Sequence, residues 1–145
     1  MRISASLRLA VQLRARGRCE YCRLPAECSQ LPFSVDHVLP RKHGGSDLLE
    51  NLAYACQWCN LHKGANLTGI DPATRSVRAL FNPRTQSWHR NFEVSGTAIR
   101  GRSSIGRTTV RVLTMNDGGI RSLRKLCMEN DLWPEQQSLK SEDTK

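Results

Sequence analysis

Several things are missing from this chain, and each absence excludes something. No run of apolar residues is long enough to span a bilayer. The N-terminus, MRISASLRLAVQLRARGRC, has arginines scattered through its apolar positions. It therefore lacks the uninterrupted apolar core of a secretory leader and reads as part of the fold. No internal repeat is visible, which excludes solenoids and propellers. Acidic residues are scarce, with 13 Asp and Glu against 22 Lys and Arg, a net charge of +9. That imbalance points to a polyanionic partner, nucleic acid before an anionic membrane. Simple solubility is the plain alternative. Apolar residues make up 39% of 145 positions, enough for one domain with a modest core that a bound metal would help to staple.

Six cysteines are present, and four fall into two Cys-x-x-Cys pairs, Cys19/Cys22 and Cys56/Cys59. With no export signal the expected compartment is a reducing cytoplasm. There, two such pairs read as a four-thiolate Zn²⁺ site rather than as disulfides. Four thiolates leave no open position for water, so this zinc would be structural. Cys28 and Cys127 fit no pattern and are expected as free thiols.

The periodicity gives an α+β reading. Residues 4–16 have helical spacing, with Ser4 or Ser6 as cap, Gly17 as stop, and Leu9 and Leu13 widening the apolar stripe. FSVDHVLP is strand-like, RKHGGSDLLENL is a loop with a sharp turn at Gly44-Gly45, and a short helix starts near Tyr54. Val77–Phe81 and Trp88–Val94 look like the two arms of a hairpin, with Trp88 and Phe92 packing it. Two helical patterns follow, the first capped by Ser103 or Ser104. A single domain over 1–133 is expected, with a disordered tail over 134–145.

The stretch 18–63 contains CEYC, DHVLPRKHGGSDLLENL and CQWCNLHKG in that order. Together these resemble the His-Asn-His (HNH) nuclease motif of the ββα-metal superfamily, also called the His-Me finger, in its zinc-stapled form. The segment 70–115, with LFNPR and GRTTV, is similar to downstream parts of small bacterial stand-alone members. The resemblance implies a ββα-metal core over 18–66 and hydrolysis of DNA phosphodiesters. It implies that His37 is the general base, that Asp36 ligates a catalytic cation, and that Asn51 braces the loop. Asn60 would be the second cation ligand. Its hard, neutral amide oxygen suits Mg²⁺ or Mn²⁺.

Asp36 and His37 are adjacent on a strand, so a regular strand would point them to opposite faces. His62 lies about 200° round a helix from Asn60. It is read as a phosphate contact or surface residue and as a ligand of neither metal. Lys63, Arg41 and Lys42 could reach phosphates near the site, though a solvated charge reads equally well for each. Basic residues over 75–125, among them Arg84, Arg102, Arg107 and Arg124, would extend that surface over double-stranded DNA. A zinc-stapled DNA-binding module without catalysis and an RNA-binding or RNA-processing protein are the competing readings.

Overall fold

The computed structural model describes residues 3–135. From residue 136 onward, the expected tail lies outside them. The domain is mixed α/β, built from five α-helices, three single-turn 3-10 helices and three two-stranded antiparallel ribbons among the described residues.

Helix α1 (Ala5–Arg14) is capped by Ser4, whose hydroxyl accepts from the Leu7 N–H at 3.2 Å. Val11 is buried, but Leu9 and Leu13 are exposed, so the apolar stripe is narrower than its sequence suggests. Arg14 fixes the end of the helix by donating to the carbonyls of Leu49 and Leu52. A knuckle at 19–22 follows, held to the next ribbon through Glu20. Its backbone N–H donates to Tyr54 O, and its carboxylate accepts from Tyr54 N at 2.8 Å. Arg84 forms an ion pair with the same carboxylate.

Strands β1 (Ser34–His37) and β2 (Leu52–Ala55) pair without a bulge, with Asp36 opposite Ala53 and His37 opposite Leu52. Tyr54 is therefore a strand residue. Helix α2 (Gln57–Lys63) starts only after Cys56, whose sulfur caps it by accepting from Cys59 N. The delay has a local cause: Leu52–Ala55 is a continuous, almost wholly buried run, which a fully covered strand and a core helix share.

The expected 77–94 hairpin does not form. Strand β4 (Val77–Ala79) turns back on β3 (Thr68–Ile70), because Asp71 closes an intervening turn: its N–H donates to Ser76 O and its carboxylate accepts from Ala73 N and Thr74 Oγ1. Ser87 then caps a short helix, α3 (Trp88–Asn91). Strand β5 (Phe92–Ser95) pairs with β6 (Ala98–Gly101) across a tight turn in which Gly96 has a φ of 60°. Trp88 and Phe92 are buried against each other, with ring centroids 5.1 Å apart.

Helix α4 (Ser104–Val112) is capped by Ser103, and α5 (Gly118–Glu129) by Asp117. The Trp58 indole on α2 donates to the carbonyls of Leu113 and Thr114, joining the core to the end of α4. Cys28 and Cys127 are not free thiols: they form a disulfide, Cα–Cα 6.1 Å, tying the turn at 26–28 to α5. Their separation of 99 residues carries no pairing signal that spacing could reveal. No helix among the described residues is long and apolar enough to cross a membrane.

Candidate metal centre and active site

The knuckle and the N-terminus of α2 bring Cys19, Cys22, Cys56 and Cys59 together. All four are buried, and their sulfurs lie within 4.8 Å of one another. Cys22 Sγ and Cys56 Sγ are 3.7 Å apart, close to the edge of a tetrahedron with Zn–S bonds of about 2.3 Å. Backbone N–H groups of Tyr21 and Cys22 point at Cys19 Sγ, and that of Cys59 at Cys56 Sγ. Such donors stabilise thiolates. The donor set fits a structural zinc.

The other expected centre is divided by the regularity of β1. Asp36 turns inward and His37 outward. Asp36 is 5% exposed and accepts from the Tyr21 hydroxyl at 2.7 Å. Lys63 Nζ lies 3.2 Å from its carboxylate and donates to His37 O at 2.9 Å. Burial pushes the Asp36 carboxyl up from its usual range, and the Lys63 charge pulls it back down. The Tyr21 phenol is raised well above its ordinary value, by burial first and then by the Asp36 charge.

Lys63 was expected at a phosphate or as a solvated charge. It is instead 2% exposed and enclosed with Asp36. The reason is its register: three residues beyond Asn60, it lies on the face of α2 that packs on β1.

On the outer face, His37 Nε2 lies 2.7 Å from Asp47 Oδ1, and Arg41 Nε donates to the same oxygen at 3.0 Å. Those two partners hold the Asp47 carboxyl below its usual range, Arg41 foremost. Nothing in the sequence singled out Asp47. It sits ten residues after His37 in a loop, and only the path of that loop makes them neighbours.

Asn51 determines the path. Its amide donates to Leu39 O at 3.0 Å and Ser46 O at 2.8 Å, and its oxygen accepts from Leu39 N at 2.8 Å. Gly44 takes a φ of 90°, and a Cβ on Gly45 would collide with the Leu39 carbonyl. Both glycines are therefore required by the loop.

Asn60 lies one turn before Lys63, and its side-chain amide has no hydrogen bond among the described residues. One buried carboxylate and one unpartnered amide are oxygen donors of the kind that Mg²⁺ or Mn²⁺ accepts. A cation at Asp36 would share that carboxylate with Lys63. His62 stays apart from both centres. It stacks on Trp58, centroids 4.4 Å apart, and its Nδ1 lies 2.8 Å from Trp58 O.

Arg41 and Lys42 are exposed beside His37, but the wider basic surface is smaller than composition suggests. Arg84 is spent on Glu20, Arg107 grips Asp71 with two nitrogens, Arg102 pairs with Glu93, and Arg124 is fully buried.

Residues 19–66 match the family model for HNH endonucleases, so the chain carries an HNH-type segment there. Over 112 residues it is 24% identical to the Septu protein PtuB of Bacillus thuringiensis, a match covering 76% of this chain. The chain spans about two fifths, 41%, of that relative's length. No solved structure matches.

Proposed function

We propose that this chain is an endonuclease that hydrolyses DNA phosphodiester bonds, with β1, β2 and α2 as a ββα-metal core and His37 as general base. The observation that carries this reading is the contact of His37 Nε2 with Asp47 Oδ1 at 2.7 Å. Asp47, held in its charged form by Arg41, favours the proton on Nε2, and this leaves the Nδ1 lone pair without a partner among the described residues. An imidazole oriented in this way can take a proton from water at Nδ1. The HNH match over 19–66 supports the same chemistry.

Asn51 acts by position, holding the loop that carries Asp47 against the end of β1. Arg41 and Lys42 are exposed where a phosphate backbone would approach. A divalent ion, Mg²⁺ or Mn²⁺, held by Asp36 and Asn60 would supply charge neutralisation at the phosphate and the leaving oxygen, and to act beside His37 it would require Asp36 to turn away from Tyr21 and Lys63. The four-thiolate zinc takes no part beyond fixing the knuckle to α2.

Supercoiled plasmid incubated with Mg²⁺ or Mn²⁺ should be converted to nicked or linear DNA. His37→Ala should lower the rate by about 10²–10⁴-fold. A plasmid left supercoiled by the wild type under every divalent ion overturns the reading. One observation favours a second reading, a zinc-stapled DNA-binding module: Asp36 already has a cation, Lys63. Salt-sensitive binding to duplex DNA without strand breakage would select it.

A further inference from the structure

Arg124 lies on α5, outside every motif, and is 0% exposed. Its Nε donates to Thr97 O at 2.7 Å, and its Nη2 donates to Met115 O at 2.6 Å and Asn116 Oδ1 at 3.1 Å. All three acceptors are neutral. Its Nη1 is buried with no hydrogen-bond partner, and no carboxylate forms an ion pair with it among the described residues. A guanidinium in this state is costly unless a negative charge stands nearby.

The thiolate cluster is reached from Arg124 through a single side chain, Trp133. The guanidinium carbon sits 5.4 Å from the centroid of the Trp133 ring, and the Trp133 indole donates to Cys22 O at 3.3 Å. Burial lowers the Arg124 pKa, and the charges of Cys22, Cys59 and Cys56 oppose that shift. A divalent zinc on four thiolates keeps a net negative charge in a site with no exposed ligand.

We infer that Arg124 is the counter-charge of the thiolate zinc site, so that α5 belongs to the metal centre although it supplies no ligand. The cation offsets the excess negative charge that the zinc leaves on its sulfurs. It also links metal retention to the docking of the C-terminal helix, through Trp133 and the Thr97 turn. The inference rests on the zinc assignment of the four cysteines and not on the nuclease reading.

The test uses full-length, zinc-loaded protein. Arg124→Met removes the charge. Arg124→Lys keeps the charge but gives up the forked hydrogen bonds. Zinc affinity is measured by competition with a chromogenic chelator. Arg124→Met should bind zinc at least about tenfold more weakly, as loss of an outer-shell partner does, while Arg124→Lys stays much nearer to the wild type. In the Co²⁺-substituted protein, the sulfur-to-cobalt charge-transfer band should move to lower energy in Arg124→Met, because the cation no longer stabilises the sulfur electrons.

Equal zinc affinity and an unmoved band in Arg124→Met overturn the inference, even if its melting temperature falls. Should Arg124→Met fail to fold, Arg124→Lys decides: a loss of tenfold or more overturns the inference, and retention upholds it. A wild type without zinc would refute the assignment beneath it.

Discussion

Helix α2 carries donors of the thiolate cluster and of the proposed cation site, and equips them unequally. At its N-terminus, Cys56 and Cys59 meet Cys19 and Cys22 in a cluster whose four sulfurs face one another, with backbone N–H groups turned toward two of them. Directly after Cys59, Asn60 has a side-chain amide with no hydrogen bond among the described residues, and the carboxylate it would share a cation with is already paired with Lys63. The first centre is complete in its ligands and has its countering charge at a distance, on α5. The second has its countering charge in place and an incomplete set of donors. A closed structural site can be built ahead of its metal. On the nuclease reading, the second site must admit phosphate and water, and Lys63 keeps its carboxylate stable meanwhile.

The largest expected effect would break the first half of this contrast. Cys59→Ser removes one of four ligands and should abolish zinc retention. Structural zinc contributes about 10–16 kcal/mol in zinc-finger peptides, comparable to the whole stability of a small domain. The variant should therefore lose its cooperative thermal transition, as should the wild type after exhaustive chelation. A melting temperature within a few degrees of the wild type would show that the cluster is not a staple.

Next comes the Asp36–Lys63 pair. Replacing one partner of a buried pair leaves an uncompensated charge, so Lys63→Met should cost about 3–5 kcal/mol. If Asp36 is also a seat for a divalent ion, millimolar Mg²⁺ or Mn²⁺ should raise the melting temperature of Lys63→Met more than that of the wild type. An equal response in both proteins would remove Asp36 from the catalytic centre and sharpen the contrast with the thiolates.

That difference also governs how far the sequence could be read. The thiolate ligands come as two spaced pairs, so their chemistry was legible by counting, and the fold brings them together as expected. The ends of α1 and α4 were legible for the same local reason, because Ser4 and Ser103 are caps. Asp47 was not legible. Its meeting with His37 depends on the path of a ten-residue loop, which Asn51 and two glycines determine through space. Lys63 was misassigned because a lysine at the end of a short helix ordinarily points to water. Here it faces a buried carboxylate. The 77–94 hairpin was misassigned because Asp71 closes an earlier turn, and alternating patterns do not say which strand is the partner.

A smaller effect is expected at the loop. Asn51→Ala removes three hydrogen bonds that tie Leu39 to Ser46 and should cost about 1–3 kcal/mol. Zinc content should be unchanged, because the loop meets β1 through His37 and the knuckle meets it through Asp36, whose side chain points the other way. Under the nuclease reading, plasmid cleavage should fall further than stability does, because the loop that holds Asp47 against His37 loses its brace. A fall in cleavage no larger than the loss of folded protein would make Asn51 a structural brace and nothing more.

The smallest effects should appear on titration, where two enclosed carboxylates, each with a cation beside it, differ in sign. Arg107 holds the Asp71 carboxyl well below its usual range, aided by Ala73 N–H and the Thr74 hydroxyl. Its ionised form is favoured by folding, so its contribution is present above the unfolded value of about 4 and is lost as pH falls below it. Burial holds Asp36 above its usual range despite Lys63. Its protonated form is favoured by folding, so its contribution is full below about pH 4 and is lost as pH rises through the folded value. Denaturant unfolding across this range should therefore separate the two. The stability gap between wild type and Asp71→Asn should widen as pH rises from about 2 to 4, and the gap to Asp36→Asn should narrow as pH rises above about 4. Gaps that move in the same direction would mean that Lys63 dominates Asp36 as Arg107 dominates Asp71. The carboxylate would then be too firmly held by its lysine to serve a divalent ion.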